Sequence, residues 1–147
     1  MSAPQEFKEV IRPPWWLILF LYSMLYSFVF ALWAAFDDSI ALIGFIVLTL
    51  LGLGVIHFAT VTITVAEGEL RIRRAHIPLR YLGEAKALDR EEFMRARTRD
   101  ADPAAYFALI FWVSEGIKVE VNDDRDPTPY WLISTRRADR LIAALRG

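Results

Sequence analysis

The chain has 147 residues and a net charge of −1, and it is 55% hydrophobic, 14% aromatic and 24% charged. That is the length of one ordinary domain, too apolar to stay unfolded and too evenly charged for a nucleic-acid partner, which a basic surface would attract. With no Cys and only His57 and His76, it has no disulfide framework, thiol nucleophile or Cys-rich metal centre.

The apolar residues concentrate in the first 60 positions. Residues 1–12, which include Lys8 and Arg12, are expected to be a cytoplasmic N-terminal segment. Trp15 to Phe36 then runs 22 residues without a charge, about 33 Å as a helix, enough to cross a hydrocarbon core. Ile40 to Ala59 is a second uncharged run of 20 residues, about 30 Å long by the same rise. Only Asp37, Asp38 and Ser39 separate them, so residues 13–59 are predicted to form a two-helix transmembrane hairpin. Pro13 and Pro14 suit a first helical turn, and Trp15, Trp16 and Trp33 fall where an interfacial aromatic belt belongs. Lys8 and Arg12 precede the first span, Arg71, Arg73 and Arg74 follow the second, and the connection has no Lys or Arg. The positive-inside rule then puts both termini in the cytoplasm of a multi-pass cell (inner) membrane protein. A competing reading is a cleaved signal peptide, with Ala31, Ala34 and Ala35 as the cleavage region, followed by a buried core helix. Against it, the first run exceeds a signal's apolar stretch and the second is equally apolar.

Ser23, Ser27, Ala31 and Ala35 recur every four residues and give the first span one face of small side chains. Ala41, Gly44 and Gly52 offer a partial counterpart on the second. Packing within the hairpin is the expectation, and a homo-oligomer contact is the alternative. Neither span contains Asp, Glu, Lys or Arg, unlike most transporters and proton channels.

Residues 60–147 carry 15 Lys and Arg against 14 Asp and Glu. Thr60 to Val65 alternates as a half-buried strand, and Glu67-Gly68 reads as a turn. Leu70 and Ile72 alternate with Arg71 and Arg73 in a second strand. Ile77, Leu79 and Tyr81 predict a third, with Pro78 marking an edge. Glu84 to Leu88 is a weaker fourth. Asp89 and Glu92 form a capping arrangement for a short helix to Arg97. Asp100 to Pro103 is a loop, Ala105 to Val113 an apolar strand, and Glu115-Gly116 a turn. Ile117, Val119 and Val121 alternate again. Asn122 to Pro129 is a loop and Tyr130 to Ile133 a last strand. Ser134 or Thr135 caps a terminal helix with Leu141, Ile142 and Leu145 on its apolar face. The predicted class is a membrane α-helical hairpin plus a small antiparallel β domain of about seven strands with a C-terminal helix, a pleckstrin-homology-like α+β layout.

Several strings carry a family resemblance. They are Pro13-Pro14-Trp15-Trp16, Val65-Ala66-Glu67-Gly68-Glu69-Leu70-Arg71, Ile77-Pro78-Leu79-Arg80 and Asp102-Pro103-Ala104-Ala105-Tyr106. The longest is Asp126-Pro127-Thr128-Pro129-Tyr130-Trp131-Leu132-Ile133-Ser134-Thr135-Arg136. Across nearly the whole chain the sequence resembles the small actinobacterial membrane proteins grouped as domain of unknown function 3093. The resemblance implies an actinobacterial inner-membrane protein and assigns no activity.

Candidate sites remain. Asn122, Asp123, Asp124 and Asp126 are either oxygen ligands for a cation or a solvated loop; the spacing is not that of an EF-hand, and no metal is assigned. Asp126, Pro127, Thr128, Pro129, Tyr130 and Trp131 combine a stiff loop with two aromatics, a partner-binding face or a core anchor. Strand alternation predicts one aromatic in and the other out. Ser134, Thr135, Arg136 and Arg137 at the start of the last helix suit a phosphate, while Arg71, Arg73, Arg74 and Arg80 suit anionic lipid. No Gly-rich phosphate loop, nucleophile elbow or metal-spaced His pair is present, so neither a catalytic residue nor a cofactor is assigned. The leading expectation is a non-enzymatic, membrane-anchored scaffold binding a protein partner through Asp126–Trp131. The alternative is anionic head-group binding by Arg71, Arg73, Arg74, Arg136 and Arg137.

Overall fold

The computed structural model describes residues 6–147. The chain divides into two units: Ile11–Val61, and the described residues through Val10 together with Thr62–Gly147.

The first unit is a helical hairpin. Helix α1 spans Trp15–Ala35 and α2 spans Asp38–Ala59, so the link is only Phe36-Asp37. Pro14, extended at φ −66°, opens α1. The second helix begins two residues earlier than expected, because Asp38 and Ser39 join its first turn, where a carboxylate favours the helix dipole. Trp33 Nε1 donates to the Asp38 carboxylate at 2.9 Å and braces the turn. Both helices are long and apolar enough to cross a membrane.

The two helices pack through a different α1 face from the one expected. Ser23, Ser27, Ala31 and Ala35 are all exposed. The small residues that matter for packing lie on α2. A Cβ on Gly44 would stand 2.6 Å from Leu32 Cδ1, and one on Gly52 would stand 2.9 Å from the Tyr22 ring. Tyr22 Oη also donates to the Thr49 carbonyl at 3.4 Å, and Tyr26 stacks on Phe45 at 5.4 Å. One helix supplies large side chains and the other supplies space, so small residues are not needed on both. Gly52→Leu is therefore expected to cost about 1–3 kcal/mol as overpacking. Gly54→Leu, two residues on with nothing within 4 Å, is expected to cost far less. Melting of the two variants in detergent checks the difference.

The second unit is α+β, with two four-stranded sheets. In the first sheet β1 (Phe7–Ile11), β2 (Val61–Ala66), β3 (Glu69–Ile72) and β4 (Ala75–Pro78) lie in chain order. The alternation expected over Thr60–Val65 holds, with Val61, Ile63 and Val65 buried in a strand that begins at Val61. Glu67 (φ 54°) and Gly68 (φ 76°) close β2–β3 as a two-residue turn. Arg73 and Arg74 close β3–β4, with Arg73 at φ 55°. Strand β4, ending at Pro78, is an edge as expected, but Leu79–Tyr81 forms a single 3-10 turn rather than its continuation.

The second sheet has the order β5-β7-β8-β6, from β5 (Leu82–Leu88), β6 (Tyr106–Ala108), β7 (Gly116–Val121) and β8 (Tyr130–Ser134). Among the described residues there are thus eight strands, against the expected seven or so. The β6–β8 pair is parallel, so the sheet is mixed rather than wholly antiparallel. The predicted Ala105–Val113 strand shrinks to three residues, because Ile110 N–H leaves the ladder to bond Ser134 Oγ at 2.9 Å and the chain turns at Phe111-Trp112. Gly116, read as a turn residue, instead opens β7.

Helix α3 (Arg90–Arg97) starts on the predicted capping box: Asp89 accepts from the Glu92 amide at 2.8 Å, and Glu92 accepts from the Asp89 amide at 3.1 Å. Its Phe93 packs with Leu88, Tyr130 and Leu132, flanked by Ala96, Ala105, Phe107 and Leu109. Helix α4 (Ala138–Arg146) buries Leu141 and Ala144. It begins later than expected. Arg137 is its N-cap residue, without a side-chain cap, because Ser134 and Thr135 are still in or next to β8.

Candidate functional site

The end of β8 meets β1, a strand within the N-terminal segment for which the sequence predicts no element. Glu9 points inward from β1 and is 6% exposed. One of its carboxyl oxygens accepts from Thr135 Oγ1, and the other accepts from the Arg136 amide at 3.1 Å. Thr135 Oγ1 in turn accepts from the Arg137 amide at 3.1 Å. The polar groups proposed to hold a phosphate at Ser134–Arg137 are thus satisfied internally, with the chain's own carboxyl in the anion's place. Ser134 is also spent, on Ile110. The Arg136 and Arg137 side chains remain exposed, around a surface hollow of about 470 Å³ shared with Glu115, Asp139 and Arg140.

The Asp126–Trp131 segment divides into two parts. Tyr130 and Trp131 are both buried, which corrects the expectation that one faces solvent. Strand β8 is an interior strand with all five residues buried, so both of its faces are covered. Tyr130 packs on Phe93's side, and its hydroxyl accepts from the Asp102 amide at 3.1 Å. Trp131 stacks on Tyr106 at 4.4 Å. What stays at the surface is Asp126 and Pro127, with Thr128 and Pro129 half-buried.

The loop before them is braced from within. Asp123 accepts from the Arg125 amide at 3.0 Å, and Arg125 Nη2 donates to Tyr81 Oη at 2.8 Å. Arg80 lies over the same ring at 4.8 Å. Among the described residues no three His, Cys, Asp or Glu side chains converge as metal ligands. The Thr128 hydroxyl, then its amide at 2.9 Å, hold the Asp126 carboxyl below its usual value of 3.8. A carboxyl depressed on folding contributes stability above its unfolded pKa and loses it as pH falls through the folded one. Thr128→Ala is therefore expected to move the Asp126 titration, followed by carboxyl-carbon NMR, upward toward the usual value.

The β3–β4 hairpin carries the basic group read from the sequence. Register pairs Arg71 with His76 and Ile72 with Ala75. Arg71, Arg73, Arg74 and His76 are exposed and line a surface hollow of about 430 Å³ together with Glu69. Arg71 is held by Glu69 at 3.0 Å and by Glu67 at 3.7 Å. Arg73 and Arg74 have no carboxylate at ion-pair distance among the described residues.

Two residues were missed from sequence. Glu9 was legible only as the middle of Phe7-Lys8-Glu9-Val10-Ile11, whose period of two is masked by a charged inward residue and an apolar outward one. Arg125 gave no signal at all, since its partner Tyr81 is 44 positions away.

An α+β unit with two long apolar helices placed between its first two strands is the class these features define. The chain belongs to the family described as Protein of unknown function (DUF3093), whose match covers residues 6–145. Neither a curated protein nor a solved structure matches it.

Proposed function

We propose that this is a two-span integral protein of the actinobacterial cell membrane, with both termini cytoplasmic and a non-enzymatic recognition domain of pleckstrin-homology-like build. One observation carries the reading. Strand β1, just before α1, is hydrogen-bonded beside β2, just after α2, and Glu9 is fastened to Thr135. Segments that pair must lie on one side of a bilayer, which favours an even number of crossings between them. Removal of a signal peptide near Ala31–Ala35 would take away β1 and leave Thr135 and the Arg136 amide without their acceptor. The charge pattern supports the cytoplasmic side: Lys8, Arg12, Arg71, Arg73 and Arg74 flank the spans, and Asp37 and Asp38 sit at the turn. The early antiparallel hairpins and the closing β8–α4 unit favour the pleckstrin-homology-like build; the parallel β6 departs from it.

In this reading the domain holds a protein partner, and its contact is the Asp126–Thr128 ridge rather than the buried aromatics. The full-length protein, isolated in mild detergent from its native membrane, is expected to retain a second polypeptide in fixed stoichiometry. Asp126→Ala/Thr128→Ala is expected to lose it. A partner retained equally by that variant, or a bare chain in both cases, contradicts the scaffold role.

A further inference from the structure

We infer that the Arg73-Arg74 turn is a binding site for the phosphate of an anionic lipid head group, in the leaflet facing the α+β unit; the inference rests on the membrane-anchored reading above.

Backbone geometry is the first argument. Arg73 closes a two-residue hairpin at φ 55°, a conformation in which glycine is the usual residue and a side chain is strained. Among the described residues only one other non-glycine residue, Glu67, has a positive φ. Its charge is answered by Arg71. The Arg73 guanidinium and its neighbour Arg74 are answered by no carboxylate, so the hairpin keeps a strained arginine with no internal use. Strain held at an exposed turn is a reason to look for a ligand there.

Position is the second argument. Ile63 pairs with Ile72 across β2–β3, so the Arg73-Arg74 turn lies just past the end of β2 nearest Thr62. Thr62 is three residues beyond Ala59, the last residue of the second apolar helix. Three residues reach at most about 11 Å, and the neighbouring strand adds about 5 Å. The turn is therefore kept by chain length alone within reach of head groups around the end of that helix.

Charge is the third argument. Arg71 is neutralised and oriented by Glu67 and Glu69, and the exposed imidazole of His76 stands opposite it across the ladder. The donors left over, two guanidinium groups at the rim of the hollow, suit a singly charged phosphodiester. Each basic residue at an anionic surface contributes about a fivefold increase in affinity.

The test uses the full-length protein in nanodiscs of phosphatidylcholine, with and without phosphatidylglycerol, and native mass spectrometry of the lipids it retains. Wild type is expected to retain phosphatidylglycerol preferentially and to release it with salt. Arg73→Gly is expected to lose about fivefold in retention with no fall in melting temperature, since glycine relieves the turn. Arg73→Ala/Arg74→Ala is expected to lose about 25-fold. The charge-reversed control Arg90→Glu/Arg99→Glu, on and after α3, is expected to retain the lipid. Undiminished retention by both hairpin variants overturns the site, as does equal displacement by millimolar glycerol phosphate, which would make the source a soluble phosphate. Failure to enter nanodiscs contradicts the two-span reading itself, whereas entry without a lipid preference contradicts this site alone.

Discussion

Thr135→Val is expected to destabilise the α+β unit by about 2–3 kcal/mol, although it changes side-chain volume hardly at all. The hydroxyl it removes donates to the buried Glu9 carboxyl and accepts from the Arg137 amide. Valine leaves the carboxyl with a single donor, the Arg136 amide, in a site sealed from water. Hydrogen bonds to charged groups contribute about 1.5–3 kcal/mol, and a buried group stripped of its partner carries its desolvation cost as well. Glu9→Gln is expected to cost less, about 1 kcal/mol, because an amide keeps one oxygen for Arg136 and its NH2 reaches Thr135 once the hydroxyl rotates. Glu9→Leu/Thr135→Val, which removes both ends, should cost less than the sum of its single changes. Thermal melts in detergent, with the double-mutant cycle, check all three. Independent, additive effects would mean that the two groups do not share a bond.

Gly116→Ala is expected to cost about 3 kcal/mol or more, since Gly116 has the closest neighbour of the chain's glycines. A Cβ there would sit 2.0 Å from the Ile133 carbonyl oxygen and 2.5 Å from Phe93 Cε2. The first neighbour is backbone within the β7–β8 ladder, and the second is a fully buried ring. Neither can give way without moving a strand. Gly68→Ala makes a useful contrast. Its φ is 76° but it has open space around it, so only left-handed strain of about 1–2 kcal/mol applies. Equal melting temperatures for the two variants would mean that the close approach at Gly116 is not rigid.

These sites show what the sequence could and could not carry. The two long helices were legible because an uncharged run of that length needs no partner to be recognised. The Glu67-Gly68 turn, the Asp89–Glu92 capping box and the β7 alternation were legible for the same reason, since each is decided by neighbours a few residues away. Features decided by distant partners were not. Strand β1 was hidden because Glu9 is buried to meet Thr135, 126 positions later, while Val10 faces out. The Ala105–Val113 run is apolar throughout, but only Tyr106–Ala108 finds a partner in β8. Tyr130 and Trp131 are both inside because β8 is an interior strand, which alternation within β8 cannot reveal. The small-residue face of α1 misled for a related reason: close approach needs small residues on one helix, and here Gly44 and Gly52 on α2 supply them. Of the candidate sites, the basic hairpin was legible as a charge pattern, but the strain at Arg73 and the pairing of Arg71 were not.

Sidedness tests the central claim most directly. The chain has no native Cys, so single cysteines can be placed at Val10, Ser39 and Asp124 without background. A membrane-impermeant maleimide is expected to label Ser39→Cys from outside intact spheroplasts. Val10→Cys and Asp124→Cys are expected to react only in inverted vesicles. Labelling of Val10→Cys and Asp124→Cys from opposite faces would contradict the account, because β1 could not then pair with β2 or reach Thr135.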